Sequence, residues 1–328
     1  MKITEKLTTY KEKIPDLGRE YNLGKKWGWI IVRSIFLAGF CFTILYPVLL
    51  AISKSFMPLA DSYDNTVLLI PRNFTLDNYI GVSYVIDYWN TLKNSLILSI
   101  AVTVLQTFSC LLVGYGFARF EFKLKGLLFS MVIFTIIVPP QVLTIPMFLH
   151  FRFFDIFGII NAVTGKGGVN LLDTYLPYFM LGLLGQGIRN GLFIFIFRQF
   201  FKGMPKETEE SALVDGAGYF RIFYRIMLPN AITSAITVAL FSFVWQYNDL
   251  SYAATFLPNT KVISMAYENL EQARGLLYNV GFTELFNPQQ FGLLRSAAVI
   301  LILLPVILIY AVAQKFFVNS VERSGIVG

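Results

Sequence analysis

The sequence predicts an all-α membrane protein with six transmembrane helices. Three observations carry this. Of the 328 residues, 55% are hydrophobic and only 14% are charged, with a mean hydropathy of +0.61; soluble domains carry roughly 25% charged residues. Six apolar runs lie between polar segments, each near the ~20 residues that a helix needs to cross the hydrocarbon core. The cations are also distributed unevenly between alternate loops, which is how a membrane protein sets its orientation.

The first 26 residues are polar and carry Lys2, Lys6, Lys11, Lys13, Arg19, Lys25 and Lys26, so no cleavable signal peptide is expected at this end. The first span is expected over 27–52, with Trp27 and Trp29 at the interface. Residues 53–91 form a loop, and the second span covers 94–117. A short basic loop with Arg119, Lys123 and Lys125 follows. The third span, 127–149, contains Pro139, Pro140 and Pro146 and is expected to kink. A glycine-containing loop over 151–173 precedes the fourth span at 174–197. The fifth span is expected over 231–256, a loop over 257–290, and the sixth span over 296–317. The segments 1–26, 118–126, 198–229 and the tail hold seventeen Lys and Arg residues, against six in the alternate loops. Both termini are therefore expected inside.

Between the fourth and fifth spans lies a charged stretch. Pro205 followed by Glu207, Glu209 and Glu210 reads as a helix start, with acids at the positive end of the dipole. Gly216 and Gly218 permit a turn. A second helix is expected over 219–227 and is expected to end at Pro229. This is a helix-turn-helix at the membrane surface.

The spacing Glu210-Ser211-Ala212-x3-Gly216-x9-Ile226-x-Leu228-Pro229 resembles the Glu-Ala-Ala cytoplasmic loop of ABC importer permeases. Ser211 departs from the usual alanine but is equally small. The phrase from Glu209 to Ala217, with Asp215-Gly216-Ala217, is similar to the carbohydrate-uptake branch, specifically its maltose-type second permease. Asn94-Ser95-Leu96, Tyr115-Gly116-Phe117-Ala118-Arg119-Phe120, Ile137-Val138-Pro139-Pro140 and Asn248-Asp249 also match phrases of that family. The resemblance covers roughly residues 90–258 and implies a type I ABC importer permease fold. It divides the chain into a cytoplasmic segment 1–26, a permease domain 27–318 with a coupling loop at 201–229, and a cytoplasmic tail 319–328.

It also implies partners: a second permease subunit, two ATPase subunits and an extracytoplasmic solute-binding protein that delivers a carbohydrate, with membrane lipid around the spans. In the coupling loop, Glu209, Glu210, Ala212, Leu213, Asp215, Gly216 and Ala217 are the candidate contacts with the ATPase. Gly216 would set the bend and Glu210 would offer a carboxylate, and Leu213, Ala217, Ile222 and Phe223 would supply apolar contacts.

Ser242, Trp245, Gln246 and Asp249 stand at i, i+3, i+4 and i+7 of the fifth span and so share a helical face; Asn248 lies beside it. Polar groups and a tryptophan on one face suit a sugar pathway, and they equally suit helix–helix hydrogen bonding. Gln186, Arg189 and Asn190 stand at i, i+3 and i+4 of the fourth span. A central arginine costs about 2.5–3.5 kcal/mol on insertion scales, so Arg189 is expected to face the bundle interior or water. It either lines the translocation cavity or acts as a structural strut. Gly185, Gly187 and Gly191 around it allow close packing or a local break.

The net charge of +7 is spread over span ends rather than gathered in one patch, which argues against a nucleic-acid partner. One histidine and two distant cysteines, Cys41 and Cys110, make no metal constellation. No phosphate-binding loop is present, so no cofactor and no catalytic residue is expected, and ATP hydrolysis is assigned to a partner. The alternatives are an importer for a polyamine or an anion, a secondary transporter, or a channel or scaffold subunit; the loop motif argues against the last two.

Overall fold

The computed structural model describes residues 17–67, 69–165, 167–282 and 287–325. The expected N-terminal segment lies outside the described residues up to position 16, and the expected tail does so from position 326. The principal elements in chain order are α1 (Leu17–Ser55), α2 (Asp77–Val85), α3 (Tyr88–Arg119), α4 (Lys125–Ile137), α5 (Pro140–Arg152), α6 (Leu176–Leu183), α7 (Asn190–Gly203) and α8 (Glu207–Val214). They continue with α9 (Tyr219–Asn230), α10 (Ile232–Tyr247), α11 (Ser251–Phe256), α12 (Ile263–Gln272) and α13 (Pro288–Gly325).

The apolar stretches Lys26–Ser55, Tyr88–Arg119 and Pro288–Gln314 cross a bilayer length without a break. They correspond to the expected first, second and sixth spans. The last helix outruns its expected end at 317 and continues through the first part of the expected tail to Gly325.

The other three expected spans are not single helices. The third is broken rather than kinked: α4 and α5 meet at 102°. A residue before proline is pushed out of the α region, and the pair Pro139-Pro140 imposes this twice. Val138 (φ −66°, ψ 122°) and Pro139 (φ −63°, ψ 130°) are both extended, whereas Pro146 is absorbed within α5.

The expected fourth span is split into α6 and α7 by a non-helical segment over 184–189. Gly185 (φ +70°) and Arg189 (φ +61°) there have left-handed backbones. Gln186, Arg189 and Asn190 therefore do not share a helical face, because the helix that would align them is interrupted. The expected fifth span also ends early: α10 stops at Tyr247 and α11 begins at Ser251, so Asp249 falls outside the helical register predicted for it.

Pro229 does not end the second helix of the surface element. Helix α9 runs to Asn230 through a π turn over Phe223–Met227, where the Leu228 N–H donates to the Phe223 carbonyl. The wider turn gives the proline ring room against the preceding carbonyls. Helix α9 meets α10 at 69°.

Helix α3 is the axis of the molecule. On its C-terminal half, Cys110, Leu111 and Tyr115 are buried with Phe193, Phe197 and Phe201 of α7, Ile222 and Met227 of α9, and Val238 of α10. Its other half packs through Leu98 and Val102 against Tyr178 of α6 and Phe256 of α11. Gly114 lets α3 and α7 touch: a Cβ there would lie 2.5 Å from that of Phe197. Gly191 does the same between α7 and α4, where a Cβ would lie 2.7 Å from the Val132 carbonyl. By contrast, none of the apolar window of α1 is buried within the chain.

Candidate functional site

Two sites emerge, joined by α3. The first is the surface element α8–α9. Helix α8 ends in a Schellman motif. Ala217 N–H donates to the Ala212 carbonyl and Gly216 N–H to the Leu213 carbonyl, each at 3.0 Å. Gly216 has φ +78°, a backbone that glycine takes without steric cost. The motif brings Ala212 and Ala217 together, and both are half-buried against the core around Tyr115 and Phe201. Asp215 caps the helix and is exposed.

The acids of α8 divide. Glu210 is exposed, while Glu209 turns inward to Arg119 at the end of α3. The Arg119 Nε lies 2.7 Å from Glu209 Oε1, and their side chains are 5% and 18% exposed. The contact is an ion pair by distance and not an aligned hydrogen bond. The aligned bond runs from Arg119 Nη2 to the Met204 carbonyl at 3.0 Å. Arg119 thus fastens α3 to both ends of the segment leading into α8. Beside it the Tyr115 ring contacts Phe201 at 5.3 Å and Phe223 at 4.9 Å.

Of the expected apolar contacts for a partner, Leu213 is exposed and Ala217 half-buried. Ile222 is 1% exposed and Phe223 half-buried, so both serve the chain's own core. The exposed apolar face is made instead by Leu213, Val214, Tyr219, Phe220 and Tyr224, with Phe220 92% and Val214 87% exposed.

The second site is a cavity of about 730 Å³ at the breaks in the spans. Gln186, Arg189 and Asn190 line it, with Trp245 and Asp249. The break does what a continuous helix was expected to do: it carries these groups to one wall. The Arg189 guanidinium sits 5.6 Å over the Trp245 ring, which also stacks with Phe193 and Phe241 at 5.5 and 5.7 Å. Asp249 Oδ2 accepts the Tyr252 N–H at 3.0 Å, steadying the start of α11.

Three other expected pathway residues stand apart from the cavity wall. Ser242 is buried and donates to Gln106 Oε1 at 2.7 Å. Gln246 is buried beside Ser95, Ser99 and Tyr178. Asn248 is exposed and its Nδ2 donates to the Val244 carbonyl at 2.8 Å.

Gln106, which sequence reasoning did not single out, ties this region together. It is 1% exposed. Its Nε2 donates to the Ile188 carbonyl at 2.5 Å and to Asn190 Oδ1, while its Oε1 accepts from Ser242. One amide on α3 thus holds the break before α7 and the middle of α10. A lone glutamine in the apolar run from Val102 to Val113 was the available signal, since an amide in a span needs partners on other helices. Arg119 had a signal too, as a cation closing a span, but nothing in the sequence paired it with Glu209.

Among the described residues no group of three His, Cys, Asp or Glu side chains is placed to hold a metal ion.

Residues 110–323 match the family model described as "binding-protein-dependent transport system inner membrane component". The chain is 30% identical to the probable ABC transporter permease protein PH1036 of Pyrococcus horikoshii, over 84% of this chain and 90% of that one. It is 24% identical to the arabinooligosaccharides transport system permease protein AraQ of Halalkalibacterium halodurans, over 92% and 96%. It is 28% identical to the alpha-glucoside transport system permease protein AglG of Rhizobium meliloti, over 79% and 62%. Its fold matches a solved chain from a bacterial ABC transporter that imports the acidic polysaccharide alginate, with a TM-score of 0.66 and 19% identity, over 89% of this chain and 98% of that one. The matched residues span α3 to α13 and include both sites, and on them the chain belongs to the binding-protein-dependent transport system inner membrane component family, the permease subunits of ABC importers.

Proposed function

We propose that the chain is one of two permease subunits of an importer that moves a carbohydrate, driven by ATP hydrolysed on a separate pair of ATPase subunits and supplied by an extracytoplasmic solute-binding protein. The observation that carries the reading is the rigid link from α8 to the cavity. Glu209 and Met204 hold Arg119 at one end of α3, and Gln106 holds the cavity wall 13 residues earlier, about 20 Å along the helix. Glu210, Leu213 and Asp215 face outward from α8 beside the exposed Val214 and Phe220, a surface suited to a groove on the ATPase. Movement imposed there would reach the cavity through α3 and alternate its access. The relatives named as arabinooligosaccharide and alpha-glucoside permeases support an oligosaccharide as cargo.

The test is purification of the chain in mild detergent with the proteins that accompany it. A second permease and an ATPase are expected to co-purify, and an oligosaccharide presented on the binding protein should raise the ATPase rate. A chain that purifies alone and transports without ATP would overturn the reading.

A further inference from the structure

We propose that the cavity takes an acidic saccharide and reads its carboxylate with the guanidinium of Arg189; this rests on the carbohydrate reading above and narrows it. The cavity is lined by two charged side chains, Arg189 and Asp249. Asp249 is engaged by the N-terminal amide of α11. Arg189 has no such partner: among the described residues its contact is the Trp245 ring, and no carboxylate meets it.

The backbone that carries the guanidinium is also held in place from behind. Arg189 has a left-handed backbone (φ 61°, ψ 19°) at the start of α7, a conformation that non-glycine residues keep only where the surroundings impose it. The surroundings do so here, because Gln106 binds the residues on either side, through the Ile188 carbonyl and Asn190 Oδ1.

A second donor lies next to it. Asn190 is 4% exposed and lines the cavity, yet its Nδ2 has no partner. The Asn190 Nδ2 is sealed behind the wall, so the donor that reaches the cavity without an acceptor is the Arg189 guanidinium, and it calls for an acceptor-rich ligand. A neutral sugar is served by amides and hydroxyls, which donate and accept alike. A guanidinium only donates, and its planar fork matches a carboxylate. The Trp245 face beside it is covered by the cation, so a ligand there meets the charge rather than the indole.

The experiment uses the complete importer reconstituted with its partners. Binding and ATPase stimulation are measured with trimers of galacturonate, glucuronate and mannuronate, with the methyl ester of each trimer, and with maltotriose. The expected result is that one acid trimer outperforms its own ester by about tenfold or more. Arg189→Gln should abolish that difference, and Arg189→Lys should keep part of it. Equal response to acid and ester, or an acid preference that survives Arg189→Gln, overturns the proposal. So does loss of pairing with the second permease in Arg189→Gln, which would make the residue a strut. If maltotriose or an ester is the effective ligand, acidic selectivity fails while the carbohydrate reading stands. If no saccharide of either kind acts, both fail.

Discussion

Gly216 and Arg119 show how single residues shape the surface element. At φ +78°, an alanine Cβ at position 216 costs roughly 1–2 kcal/mol, so Gly216→Ala should leave the element formed but weaker. Gly216→Pro should do more, because it forces φ negative and deletes the donor to the Leu213 carbonyl. The proline variant should insert normally yet lose ATPase association, measured by co-purification; normal association would reduce the turn to a linker. For Arg119, removal leaves Glu209 unpaired at 18% exposure. The loss should be on the order of 2 kcal/mol, below the ~3–5 of a fully buried pair. In Arg119→Ala the ATPase should still turn over while substrate no longer accelerates it. Unchanged stimulation would mean that α3 is not the route of coupling. The motif residues were legible in the sequence because they fall in register with the Glu-Ala-Ala loop, and the left-handed position that ends α8 favours a glycine. The Arg119–Glu209 pair joins positions 90 apart in sequence, and no local pattern records that.

At the scale of elements, the sequence places the spans but not their breaks. Hydropathy averages over a window, so 127–149, 174–197 and 231–256 read as continuous although α4 and α5 diverge by 102°. Pro139-Pro140 announced a kink where the structure has a break. Gly185, Gly187 and Gly191 allowed the second break without requiring it, because the left-handed backbone at Arg189 is revealed by no periodicity, and the third turns on the short stretch between Tyr247 and Ser251. Broken helices at membrane depth survive where neighbouring protein satisfies the freed backbone groups, and Gln106 does this for the Ile188 carbonyl. Gln106→Leu should therefore lower uptake more than it lowers expression, measured side by side; equal losses would assign it to folding alone. Close packing makes a separate demand on the same helix. Gly114→Val should cost roughly 1–3 kcal/mol of stability by forcing α3 off Phe197, read as a lower thermal midpoint in detergent.

For the molecule as a whole, orientation is the property that the rest depends on. A cysteine at Lys206 should react only with a reagent applied from the cytoplasm, and one at Pro258 only from outside. The opposite result would detach the surface element from any cytoplasmic ATPase. That element also carries Phe220, Val214, Tyr224 and Tyr219 in the open, at 92, 87, 71 and 63% exposure, a display that isolated proteins seldom tolerate. On the proposed reading, an ATPase that covered them would make them harmless. Until then each newly made copy would carry a sticky flag, which chaperones and membrane proteases could bind. Orphan copies would be cleared and assembled ones spared, so the face that transmits force would also keep permease and ATPase in step during synthesis.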